Sequence, residues 1–216
     1  VNSSDLVRNE RNGSYFFHHS GQFNLCQVHK TRTMPTPLFI RAAVGSPCAV
    51  HDSLLGLQAE YLAWVYGEMA RSFSALPTRD AGQPHTEGNA DVIQALCAGR
   101  TPGSVFYLME VDGEAAGMCG LRSLGGNTAE IKRLYVRPAY RGMQLGTSAL
   151  RRLLADARLW GYTRICLDTA LFMQAAHCLY EAHGFTDCAA YEGTEVPAAL
   201  QGQWRFMHRA ITHPCP

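Results

Sequence analysis

LYVRPAYRGMQLGTSAL, residues Leu134 to Leu150, is the stretch on which the fold turns. Its apolar, strand-like entry stops at Arg137-Pro138, because proline cannot donate to a sheet ladder. Beyond a short loop the spacing becomes helical: Leu145, Ala149, Leu150, Leu153, Leu154 and Ala157 fall on one stripe, and Gly161 ends the run. A strand feeding a helix in this way aims the unpaired N–H groups of the first helical turn, and the positive end of the dipole, at one spot. Such a spot suits a phosphate or pyrophosphate. Gly142 and Gly146 let an anion approach the main chain without a Cβ in the way, and Arg141 adds a planar cation that does not titrate. Neither a Walker lysine nor a GxGxxG fingerprint is present.

Upstream, turn signals at Asp112-Gly113 and Gly125-Gly126-Asn127 separate strand-like runs at 104–111, 115–121 and 128–136, which reads as an antiparallel meander. Before them come a strand over 37–43 and a helix capped at Asp52 or Ser53. That helix runs to about Phe73, with Leu54, Tyr61, Leu62, Val65, Met69 and Phe73 on one face. A loop over 77–89 and a short helix over 91–97 complete this half. Downstream, the pattern predicts a buried strand over 163–169, a helix over 173–182 closed by His183-Gly184, and strands over 185–191 and 204–211 around a polar loop. Strand–helix–strand crossovers mixed with a meander indicate a single α/β domain built on a mixed sheet.

Composition sets the outer limits. The 216 residues suffice for one ordinary domain and are 47 % hydrophobic and 17 % charged, so most of the chain is expected to be globular. Nineteen basic against eighteen acidic residues leave +1, which argues against a nucleic-acid or acidic-membrane partner, since both call for a basic field. Eight cysteines without a CxxC pair, several inside apolar runs, read as a reducing, cytoplasmic protein. The histidines show no HxxxH or HExxH spacing, so no metal is expected. Residues 1–33 are polar and lack a sustained period. They read as a flexible extension ahead of a domain over 34–213, with Met34-Pro35 as the native start.

In this loop and its surroundings, the sequence resembles the GNAT superfamily of acyl-CoA-dependent N-acyltransferases. The family loop, Arg/Gln-x-x-Gly-x-Gly/Ala, is matched by Arg141-Gly-Met-Gln144-Leu-Gly146, with Gln144 standing where the first glycine is expected. AEIKRLYVRP (129–138) precedes the loop, and LDT (167–169) then AHCLYEAHGF (176–185) follow it, as in the family. Met173 stands near a position where family members often carry asparagine. The resemblance implies a central, mostly antiparallel mixed sheet of six to seven strands flanked by about four helices. It also implies acetyl-CoA as cosubstrate and an amine of a small molecule or peptide as acceptor, attacked directly in a ternary complex. A homodimer is a common arrangement in the family.

The resemblance also implies site residues. Leu134, Tyr135, Val136, Arg141, Gly142, Met143, Gln144, Leu145, Gly146 and Thr147 are expected along the cofactor, with the strand opened by a bulge so that its N–H groups reach the acyl carbonyl. An alkyl amine with pKa near 10.4 is protonated at pH 7, and freeing it costs roughly 4 to 5 kcal/mol. Glu130 matches the family's usual base, and Tyr180 the usual proton donor to the departing thiolate. On plain structural grounds Glu130 instead pairs with Lys132 or Arg133, and Tyr180 is a core tyrosine. Tyr61, Trp64 and Tyr66 are candidates for an acceptor wall, although packing suffices to explain Tyr61. Two other readings stand beside the enzyme: a catalytically silent acyl-CoA-binding module, motivated by Gln144 and Met173, and a nucleotide enzyme using the same helix terminus.

Overall fold

The computed structural model describes residues 6–8, 15–17, 36–43, 46–72 and 102–212. The chain divides into two compact units, Val1–Met34 and Pro35–Pro216. In the first, strands β1 (Leu6–Arg8) and β2 (Tyr15–Phe17) pair antiparallel, Leu6 opposite Phe17 and Arg8 opposite Tyr15. Strands of three residues are too short for an alternation to show in the sequence. The loop expected over 77–89 and the helix expected over 91–97 lie outside the described residues.

The second unit runs β3 (Leu38–Ala42), α1 (Cys48–Ser72), β4 (Val105–Val111), β5 (Glu114–Gly125), β6 (Thr128–Val136), α2 (Leu145–Leu159), β7 (Arg164–Ala170), α3 (Gln174–Ala182), β8 (Thr186–Cys188) and β9 (Trp204–Ala210). Its seven-stranded sheet has the order β3-β4-β5-β6-β7-β9-β8. Only β6 and β7 pair in parallel, as the intervening helix α2 requires of a crossover. Asp112 (φ 53°) and Gly113 (φ 83°) both take left-handed conformations, the geometry of a two-residue hairpin turn matched to strand twist.

Several boundaries differ from expectation, among them the end of β5, which runs on to Gly125 rather than stopping at 121. Helix α1 begins at Cys48 rather than at Asp52 or Ser53, because the Pro47 carbonyl already accepts from Val50 N at 3.0 Å. A proline at a helix start forgoes a donor that would have no intrahelical partner. Strand β8 covers only Thr186–Cys188, since it pairs with β9 at just three positions.

The sheet buries a different layer on each face. On one side Ala149, Leu150, Leu153, Leu154 and Ala157 of α2 pack with Tyr107, Cys119, Ala129, Ile131, Ile165 and Tyr180. On the other, Val50, Leu54 and Leu57 of α1 pack with Phe106, Leu108, Met118 and Tyr135. Cys119 and Cys166 are fully buried and free, behaving as small core hydrophobes. No helix among the described residues is long and apolar enough to cross a membrane.

The feature that prepares the site is a bulge in β6. Met118 of β5 faces Tyr135 and Gly120 faces Lys132, so Cys119 stands against two residues, Arg133 and Leu134. Arg133 absorbs the extra step with φ 54°. A strict alternation would put Ile131 and Tyr135 on one face; the bulge shifts the phase, so that Ile131 packs under α2 and Tyr135 under α1. The irregular pattern of residues 129–136 is thereby explained by a bulge in β6.

His177 on α3 joins that helix to the end of β7. It is 4 % exposed, and Nε2 of the neutral ring donates to the Ala170 carbonyl at 3.0 Å. Burial, outweighing the Ala170 contact, holds its pKa below the ordinary histidine value of 6.5. Because the folded pKa lies below the unfolded one, the contribution is complete above pH 6.5 and is lost as pH falls through the folded pKa. We expect the melting temperature to fall between pH 7 and pH 5, and His177→Gln to flatten that slope. An unchanged slope in the variant would assign the acid sensitivity elsewhere.

Candidate active site

Strands β6 and β7 separate soon after they meet. Their ladder holds Thr128 to Arg164, Ala129 to Ile165 and Glu130 to Cys166 and ends there, although both strands continue. The wedge between them leads into a cavity of about 560 Å³. Its wall includes the β6 residues Leu134, Tyr135 and Val136, the loop between β6 and α2, the start of α3, and Tyr61 and Trp64 of α1. Past the last pair with β7, the β6 backbone groups on that edge have no ladder partner, which frees them for a ligand.

One end of the cavity is built for an anion. The first intrahelical bond of α2 runs from Ser148 N to Gln144 O at 3.0 Å, no side chain caps the turn, and no acidic residue lies in it. The N–H groups of Leu145, Gly146 and Thr147 therefore face outward unclaimed, and all three residues line the cavity. A Cβ on Gly142 would meet nothing within 4 Å, so the space beside the loop is open. Arg141 lies at the same end, its guanidinium 5.7 Å from the centre of the Trp64 ring. This donor set fits a pyrophosphate. Met143 is a correction to the expected wall: it packs into the apolar cluster of Val111, Ala116 and Leu145 and is not among the lining residues.

Gln144 replaces the expected glycine by adopting its conformation, φ 58° and ψ 18°. A left-handed backbone costs a non-glycine residue roughly 1–2 kcal/mol, and more for a β-branched one. We expect Gln144→Val to lower stability by about that amount and to weaken CoA-induced thermal stabilisation, whereas Gln144→Gly retains both. Equal behaviour of the two variants would show that the turn does not depend on the conformation of Gln144.

Tyr61, Arg133, Asp168 and Tyr180 also stand on the cavity wall, close enough to act on one another electrostatically. Tyr180 is 6 % exposed, and its hydroxyl pKa is pushed up by burial first and then by Tyr61, Asp168 and Cys119. It holds its proton throughout the working pH range. Asp168 is the carboxylate on this wall, and behind it lies a buried charge network. Lys132 Nζ stands 3.6 Å from Asp168, 3.6 Å from Glu130 and 3.0 Å from Glu195. The Tyr191 hydroxyl donates to Glu130 at 2.7 Å and lies 3.4 Å from Asp168.

Glu130 itself is 0 % exposed and is not a lining residue. Arg122 Nε donates to its second oxygen, so Arg122, Tyr191 and Lys132 occupy both carboxylate oxygens. Burial pushes its carboxyl above the ordinary glutamate range, with Lys132, Tyr191 and Arg122 working against the shift. The expected base, acting directly or through water, thus stands behind Asp168 rather than on the cavity wall. Its cation partners are Arg122 and Lys132, not Arg133.

Sequence reasoning did not single out Asp168, Arg133, Arg122, Tyr191 or Glu195 for the site. Arg122 and Glu130 face each other across the β5–β6 ladder, which a hairpin register read from Gly125-Gly126-Asn127 could have shown. Tyr191 and Glu195 come from the polar loop before β9, and no local signal ties that loop to β6. Of the three aromatics proposed for an acceptor wall, Tyr61 and Trp64 line the cavity and Tyr66 does not. No group of three or more His, Cys, Asp or Glu side chains among the described residues is placed to hold a metal ion.

Comparison with known proteins adds the following. A family model described as "Acetyltransferase (GNAT) family" matches residues 70–185. The chain is 31 % identical over 111 residues to the uncharacterized N-acetyltransferase YjgM of Escherichia coli K12, across 50 % of this chain and 65 % of that protein. It is 31 % identical over 151 residues to human N-acetylaspartate synthetase, across 69 % of this chain and 46 % of that protein. The aligned part thus spans between a third and two thirds of the curated relatives, from 33 % of the mouse synthetase to 66 % of an uncharacterized N-acetyltransferase of Schizosaccharomyces pombe. Among solved structures, the PaiA N-acetyltransferase of Thermoplasma acidophilum in complex with coenzyme A superposes with a TM-score of 0.62 at 15 % identity, over 81 % of this chain and 99 % of that one. An acetyltransferase of Streptococcus agalactiae superposes at 0.61 and 18 %, over 81 % and 98 %. These two show a shared fold.

Proposed function

Because the chain belongs to the acetyltransferase (GNAT) family, we propose that it transfers an acetyl group from acetyl-CoA to a primary amine of a small molecule or peptide, by direct attack with both substrates bound. One observation carries the reading: a single cavity is lined both by an uncapped helix N-terminus and by Asp168 and Tyr180. Arg141, Gly142 and the turn from Gln144 to Thr147 would hold the pyrophosphate, and the free edge of β6 at Leu134 to Val136 would hold the pantetheine arm and the acyl oxygen. Acetyl-CoA supplies the activated acyl group.

The chain's own residues handle the protons. Asp168 accepts a proton from the incoming ammonium, directly or through water, restoring the neutral nucleophile. Lys132 and Tyr191 fix the Asp168 carboxylate, and Glu130 fixes Lys132 and Tyr191 from behind, which makes Glu130 a positioning residue. Tyr180 retains its hydroxyl proton, gives it to the departing thiolate, and is reprotonated by the second proton that the attacking nitrogen loses as it becomes the amide. Free thiols at Cys48, Cys119, Cys166, Cys178 and Cys188 suit the reducing, cytoplasmic setting that belongs to this proposal.

The test is thermal unfolding with acetyl-CoA, CoA and ATP, followed by thiol release from acetyl-CoA over an amine panel. A ligand at about 100 times its dissociation constant adds about 2.7 kcal/mol, a rise of about 5–11 °C for a domain of this size. Stabilisation by both CoA forms, thiol release that depends on amine, and no acetylated protein by mass spectrometry are expected. Stabilisation without thiol release for any amine would favour the silent acyl-CoA-binding module; preference for ATP would overturn both readings.

A further inference from the structure

The arginines around the sheet are mostly spoken for. Arg122, Arg137, Arg152 and Arg205 form ion pairs, and Arg209 donates to the His183 carbonyl at 2.6 Å. Arg133 differs. It sits at the bulge that opens the cavity, lines that cavity, and forms no ion pair with any carboxylate among the described residues. Its Nε is buried without a hydrogen-bond partner, while its guanidinium stands 5.8 Å from the centre of the Tyr61 ring. Leaving a buried donor unpaired is costly, and the guanidinium of this half-buried arginine reaches the cavity wall, where its other donors are open to a ligand. The rigid fork of a guanidinium matches a carboxylate in two parallel bonds.

The charges nearby narrow the ligand further. The network contains the carboxylates of Glu130, Asp168 and Glu195 against the cations Arg122 and Lys132. Adding Arg133 balances it, so a ligand with no net charge leaves the balance intact, whereas a simple cationic amine does not. Asp168 and Arg133 stand on the same wall, one suited to an ammonium and the other to a carboxylate. At the phosphate end Arg141 stands over Trp64, the ring beside Tyr61 on α1 at 6.3 Å between centres. A cavity of about 560 Å³ has room for a small acceptor beside the pantetheine arm.

We infer that Arg133 anchors the carboxylate of the acceptor, and that the acceptor is a free α-amino acid whose amino group faces Asp168. This rests on the transfer reading above and names its substrate class. It makes Arg133 a specificity-determining residue at the bulge, set in place by the same distortion that separates β6 from β7.

The experiment compares free L-amino acids with their α-carboxamides and decarboxylated amines, in wild type and in Arg133→Asn. Asparagine tolerates the left-handed backbone at this position, where φ is 54°, so the bulge is kept. Thiol release gives kcat and KM, and calorimetric titration of the amino acids into the CoA-loaded protein gives binding apart from turnover. For wild type, we expect the best amino acid to exceed its amide by about 30-fold or more in kcat/KM, on the scale of a charge-assisted bidentate contact. In Arg133→Asn, KM for that amino acid should rise by about 100-fold, kcat should change far less, and the preference for acid over amide should vanish. Thermal stabilisation by CoA should match wild type. Thiol release with amides or decarboxylated amines as good as with acids would overturn the inference and leave the transfer reading standing. Loss of CoA stabilisation in Arg133→Asn would overturn it by assigning Arg133 to the cofactor. Absence of release with every amine would overturn both.

Discussion

Glu130→Ala is expected to lower the unfolding free energy by about 3–5 kcal/mol, the cost of breaking a buried ion pair from one side. The glutamate is fully buried and accepts from Arg122 and Tyr191, with Lys132 3.6 Å away. Removing it takes one of the three carboxylates around Lys132, itself 8 % exposed, the acceptor of Arg122 Nε, and the shorter contact of the Tyr191 hydroxyl. For a domain of this size the loss corresponds to a fall of about 6–20 °C in melting temperature. Glu130→Gln keeps an acceptor for Tyr191 and the shape of the side chain, and should cost less. In that variant kcat should fall while CoA stabilisation is retained, because Asp168 loses the order of its supports and the pyrophosphate end is untouched. A Glu130→Ala protein that melts like wild type would show that the network contributes nothing to stability. Full turnover in Glu130→Gln would remove Glu130 from the catalytic apparatus.

Tyr180→Phe is expected to reduce kcat by about 10²-fold or more, the usual size of a lost proton donor. The ring packs at 5.8 Å from Phe185, and that contact survives the substitution, so stability should change little. Burial and the neighbouring Asp168 carboxylate hold the hydroxyl pKa above the ordinary tyrosine value, so wild-type turnover should show no decline from loss of this proton up to about pH 10. Acetyl-CoA affinity should remain within about twofold, because the pyrophosphate donors lie on α2. Acyl donors with more acidic thiol leaving groups should recover part of the rate in Tyr180→Phe, since a weaker base has less need of a proton. Undiminished turnover in the variant would assign Tyr180 to packing alone.

How far the site was legible follows from how local its determinants are. The loop from Arg141 to Thr147 was readable because a strand stop, glycines and a helical stripe lie within one short segment. Even there the Gln144 departure needed coordinates, since a sequence does not say whether a residue will accept φ 58°. Tyr180 was readable from its place on a short helix, and it reaches the cavity wall. Glu130 was readable as a residue of interest, but not as a fully buried one.

The sequence by itself determined the succession of elements from β3 to β9 and the strand-to-helix turn proposed for an anion, because periodicity, turn chemistry and proline act within a few residues. It could not determine which carboxylate meets the cavity. Side-chain direction along β6 depends on the phase shift at Arg133, which exists only in register with β5. The surroundings of Glu130 depend on Tyr191 and on Arg122, held in turn by Glu195, residues that converge from a neighbouring strand and a distant loop. Tertiary structure decided that Glu130 is enclosed, that Asp168 is the wall carboxylate and that Arg133 stands at the bulge with an unused donor. Its physical reason is that desolvation and charge pairing are set by what packs across the sheet, not by neighbours along the chain.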